Sequence, residues 1–101
     1  MKITFEEFCN AIPRRGGMTL VFATRLYELY SRIYDEANCK STSGNVNWRY
    51  ISGYNSGVSH HISRLISYGF VEIVESHHNY AVLNRNASAL YIRAKEASAS
   101  V

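Results

Sequence analysis

Two pairs of neighbouring histidines are the residues of this sequence that most directly suggest chemistry. His60 and His61 lie in the stretch NSGVSHHISRLISYGFVEI, and His77 and His78 lie in ESHHNY. A zinc-binding pair on a helix prefers a spacing of four residues, whereas adjacent side chains point about 100° apart. No third ligand, nucleophile or partner carboxylate is evident beside them. We therefore expect neither a metal site, a catalytic site nor a cofactor, and no enzyme.

The positive charge of the chain is concentrated in one region. The sequence has 101 residues, of which 47% are apolar, and a formal net charge of +3. Residues 37–71 hold Lys40, Arg49 and Arg64 but no acid, whereas the rest of the chain is neutral overall. Such a block lets a polyanion approach without repulsion, although surfaces rich in Ser and Asn are acid-poor as well.

The length and apolar content predict one small domain, residues 1–101. No apolar run approaches the roughly 18–20 residues of a membrane span, and the N-terminal MKITFEEFCN carries acids where a secretory signal is apolar. We therefore expect an intracellular, cytoplasmic protein. Cys9 and Cys39 form no CxxC pair, which favours two free thiols, while a disulfide within the chain or between copies stays open.

Hydrophobic periodicity and turn residues predict a mainly helical fold with one β-hairpin. The N-terminal part is predicted to form a short helix from the capping box Thr4–Glu7 to Pro13, a long amphipathic helix over residues 18–37 and a polar loop over 38–45. A short helix over 47–52 and a helix over 56–68 follow. The predicted chain then forms strands over 70–75 and 80–84 around the turn SHHN, and a last helix from Asn84 or Asn86 to about residue 97.

The helix over residues 56–68 has an unusual outer face. Its start is capped by Asn55 or Ser56 and its end is marked by Gly69. At 100° per residue, its apolar residues Val58, Ile62, Leu65 and Ile66 form one face, the residues Ser56, Gly57, His60, Ser63, Arg64 and Ser67 form the opposite face, and Ser59 and His61 lie on the flanks. A merely solvated helix normally carries Glu and Lys, which favour helix more than Ser and Gly do. This pattern favours contact with DNA, with a plain solvated face as the alternative.

The order of short helix, Gly53 turn, helix and hairpin predicts a winged helix-turn-helix, in which the second helix enters the major groove. The segment resembles the recognition helix and first wing strand of ArsR/MarR-type winged-helix regulators. The matching residues are Ser56, Val58, Ser59, His61, Ile62, Leu65, Gly69, Phe70 and Val71. The resemblance implies a dimeric, sequence-specific DNA-binding regulator with Ser59 and His61 at the DNA surface. The preceding stretch VNWRYISGY lacks Cys and His, which argues against metal sensing.

We therefore expect a homodimeric transcriptional repressor that binds double-stranded DNA through the helix over 56–68, with the hairpin over 70–84 as its wing. The predicted DNA-binding residues are Arg49, Asn55, Ser56, Gly57, Ser59, His60, His61, Ser63, Arg64, Ser67, His77, His78 and Asn79. The alternatives are a DNA-binding protein for replication, partition or packaging of a phage, plasmid or virus, and a winged-helix protein-interaction module.

A two-fold interface is predicted from the aromatic residues outside the helix-turn-helix. The N-terminal helices over residues 4–37 carry Tyr27, Tyr30 and Tyr34, and the predicted last helix carries Tyr91 with Leu90 and Ala94. The alternative is that these side chains complete a single core.

Overall fold

The structure, a computed structural model, describes residues 1–12, 19–53, 55–76 and 90–97. These residues form α1 (Phe5–Ala11), α2 (Leu20–Ile33), a π-helical segment (Tyr34–Lys40), β1 (Val46–Asn47), α3 (Trp48–Ser52), α4 (Ser56–Ser67), β2 (Val71–Ser76) and β3 (Leu90–Ala94). The described part of the chain is thus mainly helical with a small antiparallel sheet, as the sequence predicts at that level. The predicted helices over 47–52 and 56–68 are confirmed to within one residue at each end.

Two threonine caps determine where α1 and α2 begin. The Glu7 N–H donates to Thr4 Oγ1 at 3.2 Å, and the Thr4 N–H donates to the Glu7 carboxylate at 3.4 Å, which confirms the predicted capping box. The N–H of Phe22 donates to Thr19 Oγ1 at 3.1 Å. These bonds satisfy N–H groups that have no partner within their helix.

The long helix predicted over residues 18–37 consists of two segments. α2 ends at Ile33, and the chain continues in π-helical turns to Lys40, so the predicted polar loop starts later than residue 38. Asn38 accounts for the difference, because its amide donates to the Ala94 C=O at 2.9 Å and its carbonyl accepts from the Ala94 N–H at 3.1 Å. The Asn38 side chain thus bonds to both backbone groups of Ala94, as the backbone of a neighbouring strand would. These two bonds hold Asn38 in the helical segment.

In the sheet, β3 lies between β1 and β2 and is antiparallel to both. Ile92 is opposite Val46 of β1 and opposite Ile73 of β2. The segment of β1 leads directly into α3, and β2 follows α4 after a short turn. The α3–α4 pair is therefore joined to the sheet at both ends, through β1 before α3 and through β2 after α4.

The predicted last helix is wrong for the described residues 90–97, where the chain forms β3 and its extension. Leu90, Ile92 and Ala94 are buried, whereas Arg93 is exposed, so the apolar residues alternate with a period of two. Pairing on both sides of β3 overrides the helical preference of its Ala and Arg residues. The return strand predicted at 80–84 lies outside the described residues.

Tyr30 is fully buried, and its hydroxyl links the first and last described segments. Its ring packs with those of Phe8 and Phe70. The hydroxyl accepts from the Ile3 N–H at 3.0 Å and donates to the Lys95 C=O at 2.6 Å. Burial raises the pKa of Tyr30 to about 12, so the hydroxyl keeps its proton for this bond.

Several of the side chains predicted for a two-fold interface pack within one protomer. Tyr30, Leu90 and Ala94 are buried in its core. The half-buried Tyr27 donates from its hydroxyl to the Ile3 C=O at 2.8 Å. The three buried side chains belong to the core of one protomer, while the dimer and its surface stay a prediction.

Both cysteines, Cys9 and Cys39, are free thiols. Among the helices in the described ranges, none has the length and apolar character needed to cross a membrane.

Replacing Tyr30 with Phe keeps the ring and removes the hydroxyl, which leaves the Ile3 N–H and the Lys95 C=O without their partner. We expect the free energy of unfolding to fall by about 1–3 kcal/mol, as for other unpaired buried polar groups. Urea unfolding followed by circular dichroism measures the loss. Tyr34→Phe is the matched control, because its hydroxyl bonds to the exposed Glu96 side chain at 2.9 Å and should contribute less. Equal losses would contradict the role assigned to Tyr30.

An ion pair on the sheet should make the stability of the protein depend on pH in the acid range. Glu72 of β2 accepts a hydrogen bond from Arg93 Nε and lies 3.5 Å from Lys95 Nζ. The bond from Arg93 holds the pKa of Glu72 below its usual value of 4.5. Since the pKa is lower in the folded state, the stabilisation is complete above about pH 4.5 and is lost as the pH falls through the folded value.

We therefore expect Glu72→Gln to lower the free energy of unfolding at pH 7 by at most about 1 kcal/mol, because the pair is partly exposed. In acid below both pKa values the variant and the wild type should unfold at the same urea concentration. A difference that persists in acid would show that the substitution acts by other means.

Candidate nucleic-acid interface

α3 and α4 are joined through a turn that begins at Gly53, and a side-chain bond links the two helices. Gly53 has a φ of 59°, which glycine adopts readily, and its N–H donates to the Arg49 C=O at 2.7 Å. The indole N–H of the buried Trp48 then donates to Ser59 Oγ of α4 at 3.1 Å. α2 is tied to this pair, since Arg32 Nη1 donates to the Ile51 C=O at 2.9 Å. The angle between α3 and α4 is thereby fixed.

Asn55, and not Ser56, caps the start of α4. Its Oδ1 accepts from the Val58 N–H at 3.1 Å. Gly57 lies beside this cap, and a Cβ at this position would lie only 3.1 Å from Asn55 Oδ1. The glycine therefore makes room for the cap, which is a reason for its presence that does not involve a ligand.

α4 ends in a Schellman motif at Gly69, as the sequence predicts for this glycine. Gly69 has a φ of 86°, its N–H donates to the Ile66 C=O at 3.0 Å, and the Phe70 N–H donates to the Leu65 C=O at 2.9 Å. Phe70 is buried immediately after the motif and continues into β2. The motif thus satisfies the last carbonyls of α4 and turns the chain into the sheet.

The two faces of α4 lie as the helical geometry predicts. Ile62 and Leu65 are fully buried, and Val58 and Ile66 are half-buried. The outer face is exposed throughout and consists of Ser56, Gly57, His60, Ser63, Arg64 and Ser67. This face, here called the α4 outer face, has one formal positive charge and no acid. Its small side chains leave the helix accessible to a large flat or grooved ligand.

The flanks of α4 are occupied by contacts within the protein. Ser59 is half-buried and accepts the bond from Trp48. His61 is half-buried with its ring edge-on to Phe22 of α2, at a centroid distance of 5.4 Å. The Arg64 guanidinium lies over the same ring, 5.3 Å from its centroid. Phe22 of α2 is thus a residue of the site that is absent from the predicted DNA-binding set.

The structure brings part of the predicted set together. Arg49 is exposed on α3, and Asn55 is exposed at the start of α4, although its side chain serves the cap. The wing-tip residues His77, His78 and Asn79 lie outside the described residues. Within the described ranges, no three His, Cys, Asp or Glu side chains are grouped so that they can hold a metal ion.

The sequence matches no protein-family model, and neither a curated protein nor a solved structure matches it. The resemblance of residues 56–71 to winged-helix regulators therefore stays a prediction.

The cap of α4 can be tested by substitution of Asn55. Replacing Asn55 with Ala leaves the Val58 N–H without its acceptor, and we expect a loss of about 1 kcal/mol in the free energy of unfolding. For a domain of this size that corresponds to a fall in Tm of about 4–8 °C. Asn55→Ser keeps a capping oxygen and should be nearly as stable as the wild type. If both variants lose the same stability, the cap contributes nothing.

Proposed function

We propose that this protein is a sequence-specific transcriptional regulator that binds double-stranded DNA. It acts as a homodimeric repressor of the winged helix-turn-helix class, with α4 in the major groove. The observation that carries this proposal is the exposed, acid-free α4 outer face on a helix that is capped, buried on its other side and fixed to α3. An exposed face without acids lets a polyanion approach without repulsion.

The dimensions of α4 support the proposal. Its twelve residues span about 18 Å at 1.5 Å per residue, and B-DNA has a major groove about 12 Å wide that admits an α-helix. Side chains in the N-terminal half of a recognition helix contact base edges. In α4 these are Ser56 and His60, whose hydroxyl and imidazole donate and accept hydrogen bonds.

The remaining elements have proposed roles around this helix. The proposed wing differs from the predicted hairpin over 70–84 in its return strand, since β2 pairs with β3 at Leu90–Ala94. The proposed contacts of His77, His78 and Asn79, which lie outside the described residues, are with the minor groove or the backbone. Arg49 of α3 contacts a phosphate beside the groove. In a dimer, the two copies of α4 lie about one helical turn, roughly 34 Å, apart on a palindromic site.

A salt titration with selected and random duplexes distinguishes this function from its alternatives. The wild type should bind its selected sequence at least about 10³-fold more tightly than random DNA. Equal affinity for every duplex would instead favour a role in replication, partition or packaging. Absence of binding at low salt would remove DNA as the ligand and favour a protein-interaction module.

An added negative charge on the α4 outer face gives the sharpest single variant. His60 is exposed at the centre of this face, so His60→Glu places a negative charge against the DNA without disturbing the core. We expect the affinity for the selected duplex to fall at least about 10-fold, because like charges in an interface are costly. Fluorescence anisotropy at fixed salt measures it.

Asn10→Glu is the matched control for this variant, since it adds the same side chain at an exposed position of α1. It should leave the affinity nearly unchanged. An equal effect of both variants would mean that only net charge matters and that α4 does not contact the DNA.

A further inference from the structure

Phe22 connects α2 to the flank of α4. It lies in the first turn of α2, and its backbone N–H is held by the Thr19 hydroxyl at 3.1 Å. The half-buried ring contacts His61 edge-on, with an interplanar angle of 72°, and carries the Arg64 guanidinium on its face. A backbone fixed by a cap therefore determines the position of the ring, and the ring in turn restricts two side chains of the proposed DNA-binding helix.

The direction in which Arg64 points decides what it can contact. A helix with its side chains is about 10–12 Å wide and nearly fills a major groove of about 12 Å. The outward centre of such a helix meets the base edges, whereas its flanks meet the phosphates that border the groove. Because the Arg64 guanidinium lies over Phe22, it is held toward the α2 side of α4 and away from the centre marked by His60.

We propose that Phe22 is a positioning residue of this interface: its ring holds the Arg64 guanidinium at the flank of α4, where it binds a DNA phosphate and not a base edge. This inference rests on the proposed function, which makes α4 the DNA-binding helix. It assigns Arg64 a contact that strengthens binding to every sequence, and it leaves base selection to side chains such as His60 and Ser56.

The contribution of Arg64 is tested first with Arg64→Ala. Loss of one phosphate contact should weaken binding to the selected duplex and to random duplexes by the same factor, so that the specificity ratio stays constant. It should also reduce the slope of log affinity against log salt by about one. A variant that loses selectivity with an unchanged salt slope would mean that Arg64 reads a base, and would overturn the inference.

The role of Phe22 is tested by a double-mutant cycle with Phe22→Leu and Arg64→Ala. Phe22→Leu keeps an apolar side chain and removes the ring face, and we expect it to weaken DNA binding about 2- to 5-fold, the range of an exposed cation–π contact. In the Arg64→Ala background the same substitution should have no further effect. Phe22→Tyr, which keeps the ring, should bind like the wild type.

The outcomes separate this inference from the proposed function. If the wild type binds no duplex, the function itself is wrong and the inference falls with it. If the wild type binds but Phe22→Leu has no effect, or weakens binding equally with and without Arg64, Phe22 does not act through Arg64. Should Phe22→Leu fail to fold, Phe22→Met replaces it in the same cycle and is judged by the same criteria.

Discussion

The hydroxyl of Tyr30 occupies a position in which a polar group must be paired, because water does not reach it. Its two partners are backbone groups of Ile3 and Lys95, which lie at opposite ends of the described chain. The bond to Lys95 fixes the end of β3 against α2. β3 is in turn the middle strand, bonded to β1 before α3 and to β2 after α4. The helix proposed to bind DNA is therefore supported on both sides by one strand. The end of that strand is held by the Tyr30 hydroxyl and by the Asn38 amide.

Features that depend on nearby residues can be predicted from this sequence. The capping box at Thr4 and the helix end at Gly69 follow from local backbone chemistry, and both are confirmed. The strand at Leu90–Ala94 does not follow from local chemistry, because its stability comes from partners far away in the chain. Its Ala and Arg residues favour helix when considered alone. The alternation of its apolar residues indicates a strand only once the pairing on both edges is known. Asn38 is similar, since its amide is bonded to a strand rather than to a neighbour in its own turn.

In the candidate site, too, features of a single helix can be predicted, whereas contacts between helices cannot. Helical geometry alone predicts which side of α4 is buried and which is exposed, since both faces belong to one element. It does not predict that Trp48 holds Ser59 or that Phe22 lies beneath His61, because no spacing rule links side chains on different helices. The two residues that the family resemblance would place at the DNA surface are those whose side chains contact other helices. A polar residue type therefore indicates a surface position without distinguishing a ligand contact from a fold contact.

The position of β3 in the sheet also bears on how the protein is made. β1 and its partner strand are separated by almost half of the chain, so we expect this pairing to form slowly relative to local helix formation. During synthesis, α3 and α4 leave the ribosome well before residues 90–94, and they lack the strand that holds them until those residues emerge. A nascent or prematurely terminated chain would thus carry the helix without its support.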